Sequence, residues 1–183
     1  LEVYAVVSRK DYRAIRLPYA VRSVAMVIAL PNEVEGVRDV ARRLDRDELA
    51  QMLAALRTEP TRLVNLMLPR FKTEYSANLK DVFQKAGMTL AFDARRSDFS
   101  ALTGLPPQQA PTAIDQIVHR AVIEVSEEST EAAAATAIGI RVTSVAPKPV
   151  EPLQFRVDRP FLYYLVDDAT GAVLFQGRIV DPR

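Results

Sequence analysis

Two hydrophobic periods run through this chain, and each change of period marks an element. From residue 2, "EVYAVVS" and "YRAIRLPYA" carry β-branched and aromatic residues in partial alternation, which predicts two strands, the second ended by Pro18. "VRSVAMVIALP", residues 21–31, is nearly continuous in apolar residues, the pattern of a strand covered on both faces. In "VEGVRDVARRLDRDELAQMLAALRT" the period becomes helical, with Val37, Val40, Ala41 and Leu44 on one face. A second short helix is expected from about Asp47 to Leu56, capped by Asp45.

"RLVNLMLPRFKTEYS" returns to a strand rhythm, interrupted at Pro69. "ANLKDVFQKAGM" predicts a helix with Leu79, Val82, Phe83 and Ala86 on one face and Gly87 at its end. After the loop "LPPQQAPT", the stretch "AIDQIVHRAVIEVSEE" alternates from Ile117 to Val125 as a half-buried strand does. The irregular "VAPKPVEP" separates it from three more strand patterns, "LQFRV", "RPFLYYLVDD" and "AVLFQGRIVDP", the last two joined by a turn at "DDATG". Strands dominate and helices are few. The expected class is α+β with mainly antiparallel sheets.

Composition narrows the function. The chain's 183 residues suit one ordinary domain. Its 24 Lys and Arg against 23 Asp and Glu leave no basic field for nucleic acid and no acidic tail. The longest apolar stretch, "VAMVIAL", is too short for a membrane-spanning helix. With no cysteine, disulfides and thiolate metal sites are excluded. No carboxylate pair, phosphate loop or metal-ligand set stands out, so no enzyme, metal or cofactor is expected. Because Leu1 opens directly into a strand pattern, the chain is expected to begin mid-protein, with any targeting segment in the part that precedes it.

One stretch fits neither period. In "SEESTEAAAAT", residues 126–136, polar and acidic residues precede four alanines. Alanine favours a short helix capped by Ser129 or Thr130, but two isolated turns are marginal in water. Laid out as a strand, one face carries Thr130, Ala132, Ala134, Thr136, Ile138 and Ile140, and the other carries Glu131, Ala133, Ala135, Ala137, Gly139 and Arg141. The first face is small and uncharged, so it can enter a packed sheet without stranding a charge.

The flanks connect this stretch to a family. "VSEESTEAAAAT" resembles the hinge of the serpin reactive-centre loop, and "FRVDRPFLYYL" resembles that family's C-terminal signature. "LPYAVRSVAMVIALPNE", "LMLPRFKTEYSANLKDVFQKAGMTLAFD", "SDFSALTG" and "VHRAVIEVSEE" resemble further serpin blocks in the expected order. The resemblance implies the C-terminal half of a single serpin domain over 1–183, with the reactive-centre loop at 126–150 and the C-terminal strands at 151–183. The N-terminal half is then a required partner. It also implies a suicide inhibitor of serine proteases, secreted or extracellular. The protease cuts the loop, and the hinge then enters the central sheet as an extra strand.

Residue by residue, the resemblance makes Glu127, Glu128, Ser129, Thr130, Glu131, Ala132, Ala133, Ala134, Ala135 and Thr136 the hinge. Ser129 stands where the family usually has glycine, which lets the backbone reach positive φ more readily. Glu127 is expected to pair with Arg70 of "LPRF"; two separately solvated charges are the plainer reading. His119, the single histidine, falls in the region beneath the opening sheet, where it would hydrogen-bond across strands. Phe161 and the tyrosines after it read as core. Counting forward from Glu127 puts the reactive bond at Thr143–Ser144, suited to an elastase- or subtilisin-like protease. Arg141–Val142 is the second choice and would suit a trypsin-like one. A non-inhibitory chaperone, carrier or structural protein, or an inactive fragment, are the alternatives. The small residues of the hinge favour inhibition.

Overall fold

A computed structural model describes residues 1–19, 23–126 and 151–182. Its strands are Glu2–Ser8 (β1), Tyr12–Pro18 (β2), Val24–Pro31 (β3), Arg62–Met67 (β4), Phe71–Asn78 (β5), Val118–Val125 (β6), Leu153–Arg156 (β7), Phe161–Asp167 (β8) and Val173–Ile179 (β9). The helices are Val37–Arg43 (α1), Arg46–Thr58 (α2), Lys80–Lys85 (α3) and the single turn Ser100–Thr103 (α4), with a 3-10 turn at Leu90–Phe92. The described residues divide into two compact units, Leu1–Phe71 with Val125–Arg183, and Lys72–Glu124.

The first unit is built on a seven-stranded sheet in the order β7-β4-β1-β2-β3-β8-β9. Every neighbouring pair is antiparallel except β4 with β7, which is parallel. β3 lies inside this sheet with seven of its eight residues buried, as its continuous apolar run requires. Alternation divides the core. On one face Ala5, Val7, Ala14, Val27, Ala29, Leu162, Tyr164 and Val166 pack against Val37 and Val40 of α1, Leu44 at its C-terminal end, and Met52 and Leu56 of α2. On the other, Phe71 meets Phe161 edge-on at 5.5 Å between ring centroids and lies 5.4 Å from Tyr163. Phe161, Tyr163 and Tyr164 are core residues, as their pattern indicates.

Local chemistry sets the boundaries. Asp45 caps α2, its Oδ1 accepting from the backbone N–H of Asp47 and Glu48 at 3.1 and 3.0 Å. Glu48 in turn accepts a 2.8 Å hydrogen bond from the buried Tyr12 hydroxyl, fixing the start of α2 to β2. Gly177 of β9 leaves room for Tyr163: a Cβ there would clash with the tyrosine hydroxyl and the ring carbons beside it. Pro69 divides the "RLVNLMLPRFKTEYS" run as expected, and its two halves join different sheets.

The second unit holds the two-stranded sheet of β5 and β6, with α3 and the loops around α4. Asn78 knots it together. Its Oδ1 accepts from the Lys80 and Ile117 N–H groups at 3.0 and 3.2 Å, while the Leu79 N–H donates to the Ile117 carbonyl at 2.7 Å. Two expectations change here. The helix expected over 77–88 spans only Lys80–Lys85, and its apolar stripe is uncovered, with Val82 and Phe83 both exposed. β6 begins at Val118, and only its Ala121–Ile123–Val125 face is half-buried. Amphipathic spacing records a demand for cover, and among the described residues of this unit that demand is unmet.

Candidate functional site

The candidate site is the segment between β6 and β7 and the residues that flank it. Alternating residues carry β6 up to Val125 and Ser126, and the chain is described again from Glu151, two residues before β7. The hinge residues Glu127, Glu128, Ser129, Thr130, Glu131, Ala132, Ala133, Ala134, Ala135 and Thr136 lie outside the described residues. So do both expected reactive bonds, Thr143–Ser144 and Arg141–Val142.

The flanking strands differ in kind. Among the described residues β6 has one strand neighbour, β5, so one of its edges faces no strand. Its outward residues are polar or charged apart from Val118 and Val122, and Glu124 lies 3.9 Å from Lys72 of β5. β7 is the outer strand of the large sheet, and its register with β4 matches Val64 to Leu153 and Met67 to Arg156. Phe155 anchors β7 in the core, fully buried.

Arg70 is exposed in the link between β4 and β5, directly after Leu68 and Pro69. Its expected partner Glu127 is outside the described residues. His119 is exposed on β6, its ring centroid 6.3 Å from that of Tyr75 on β5. Sequence reasoning alone does not single out Tyr75, although period-two alternation along β5 puts it on the face shared with Phe71 and Thr73. The ion pair of Arg16 and Asp168, which ties β2 to the turn after β8, likewise leaves no signal in the sequence. Long-range charge pairs leave no periodic trace in a sequence.

The family described as "Serpin (serine protease inhibitor)" matches residues 2–182. The chain belongs to the serpin family. It is 32% identical over 168 residues to a "Serine protease inhibitor" of Cyanea capillata, covering 92% of this chain and 42% of that relative. Among solved serpins, Serpin48 of Tenebrio molitor superposes with a TM-score of 0.66 at 31% identity, over 97% of this chain and 43% of that one. Uncleaved ovalbumin gives 0.69 at 28% identity, over 99% and 46%. The chain thus spans less than half the length of these serpins, and its α+β, mainly antiparallel architecture is that of a serpin.

Proposed function

We propose that residues 1–183 are the C-terminal half of one serpin domain that traps serine proteases by a suicide mechanism. The loop is residues 126–150 and the closing strands are 151–183. The observation that carries this reading is the small, uncharged face of Thr130, Ala132, Ala134 and Thr136, placed directly after an edge strand. Such a face can be added to a sheet without burying an unpaired charge.

In the proposed sequence of events the protease serine Oγ attacks the Thr143 carbonyl carbon. The C–N bond to Ser144 breaks, the Ser144 nitrogen leaves with a proton, and Thr143 remains as an acyl ester on the protease. The hinge from Glu127 to Thr136 then enters as a new strand, carrying the acyl-enzyme with it before water can hydrolyse the ester. Arg70 receives Glu127 at the base of the hinge, and His119 bonds across the opening strands. Arg141–Val142 is the second bond. The rest of the fold belongs to the proposal: Val82, Val118 and Tyr75 are more than half exposed, and the remaining serpin length would cover them.

The test is to incubate full-length protein with elastase-, subtilisin- and trypsin-like proteases and look for complexes that survive SDS. A covalent complex whose released peptide begins at Ser144 or Val142 is expected. Clean cleavage by every protease without a complex would move the reading to a non-inhibitory binding, carrier or structural serpin.

A further inference from the structure

Several basic side chains gather where β7 and the β1–β2 hairpin tip are joined by hydrogen bonds. At the tip of the β1–β2 hairpin Lys10 is exposed, and its carbonyl accepts from Asn32 Nδ2 at 2.9 Å. The Asn32 carbonyl in turn accepts from Arg159 Nη1 at 2.7 Å, so Arg159 and the hairpin tip share one residue. Arg159 Nε also bonds Asp158 at 2.9 Å. That hydrogen bond, with the charges of Arg159 and Arg156, holds the Asp158 carboxyl below its ordinary range. Arg13 completes the row: its guanidinium lies 5.2 Å from the centre of the Phe155 ring, and its Nη1 reaches the Gln154 carbonyl at 3.4 Å.

Lys10, Arg13, Arg156 and Arg159 are therefore linked through Asn32, Gln154 and Asp158, with Asp158 and the exposed Glu33 beside Asn32 as the carboxylates near them. The hairpin's other acid, Asp11, is engaged by Arg43. Glu151 is exposed two residues before β7. Lys10, Arg13 and Arg156 have no carboxylate partner in an ion pair among the described residues.

We infer that this surface is a docking site for an acidic patch on the target protease, beside the part of its cleft that binds residues following the cut. The inference rests on the inhibitory reading and adds the partner's chemistry to it. Chain continuity supplies the link. Leu153 is the ninth residue after Ser144, a span of at most about 30 Å. A protease holding those residues also covers the strand they run into, because a specific interface takes about 800 Å² of each partner. Charges at that rim raise the association rate more than the final affinity.

The experiment uses full-length protein carrying Lys10→Glu with Arg156→Glu, both exposed positions, checked by an unchanged melting temperature. Two quantities are read against each protease of the panel. The first is the second-order rate of covalent complex formation across ionic strength. The second is non-covalent docking to the same protease with its catalytic serine replaced by alanine. For a protease that is acidic beside its cleft, the parent's rate should fall steeply with salt. The double reversal should lower that rate on the order of 10-fold or more at low salt and converge with the parent at high salt. Docking to the inactive protease should weaken in parallel, with the yield of complex per inhibitor unchanged.

Equal rates and equal docking for parent and variant would overturn the docking site while leaving inhibition intact. A variant unchanged toward proteases but no longer retained on a sulfated polysaccharide would also overturn it, making the patch a polyanion site. Absence of covalent complex with every protease overturns the inhibitory reading instead. Salt-sensitive docking of the inactive protease, lost in the variant, would even then sustain the surface.

Discussion

The unit of Leu1–Phe71 with Val125–Arg183 and the unit of Lys72–Glu124 carry similar hydrophobic patterns and meet very different fates. In the first, β3 and most of β8 are buried, and α1 and α2 close one face of the sheet. In the second, Ser97 is the one buried residue among those described, its hydroxyl donating to the Thr112 carbonyl. The stripe of Leu79, Val82, Phe83 and Ala86 along α3 has the same spacing as Val37, Val40, Ala41 and Leu44 along α1, yet Val82 and Phe83 are exposed while Val37, Val40 and Leu44 are buried. The difference lies in neighbours: α1 and α2 cover one face of the seven-stranded sheet and Phe71 packs on the other, whereas among the described residues nothing covers Val82 and Phe83. The proposed hinge follows directly from the poorly covered strand.

The largest expected effect lies just beyond β6. Thr130→Arg or Ala134→Glu puts a charge on the face that would enter the sheet, at a cost of several kcal/mol unless it finds a partner. In full-length protein each should turn inhibitor into substrate, with cleavage continuing and SDS-stable complex lost. A variant that trapped protease at the parent's stoichiometry would show the face is wrongly assigned.

Next comes the contrast between the units. In the 183-residue chain, Phe161→Ala should cost about 3–5 kcal/mol, since a fully buried ring leaves a cavity. Phe83→Ala should stay within about 0.5 kcal/mol, because its ring is already partly in water. Denaturant unfolding of both variants measures the gap, and equal losses would erase the distinction. Asp45→Ala is a smaller probe, worth about 1 kcal/mol through the lost cap of α2.

The smallest effect is alkaline. Burial pushes the Tyr164 hydroxyl up to about 12 from 10.0. A folded-state value above the unfolded one means the folded chain holds the proton longer. Stability is then fully present below pH 10 and declines as pH rises toward 12. Tyr164→Phe should make that decline shallower, measured as melting temperature against pH. An identical slope would show that Tyr164 does not contribute to it.

Much of the fold was legible in the sequence, for identifiable reasons. The unbroken apolar run at Val24–Pro31, the cap at Asp45 and the break at Pro69 each rest on local rules, and each reappears in the fold. The second helix spans Arg46–Thr58, close to its expected bounds. The short length of α3 and the bare face of Val118 and Val122 were not legible, because burial depends on what packs above an element and periodicity is silent on that. The same holds for the site. The small-residue face of 130–140 is a local pattern. The meeting of Tyr75 with His119, and of Lys10, Arg13, Arg156 and Arg159 beside β7 and the hairpin tip, depends on strand pairing between distant segments.

The central claim is that the loop after β6 becomes a strand once it is cut. Melting of full-length protein before and after a single cleavage within residues 138–149 tests it most directly. Insertion would satisfy backbone groups along an open sheet edge and release a metastable state, so the cleaved protein should melt at a sharply higher temperature. A clean single cut that leaves the melting curve where it was would contradict the account.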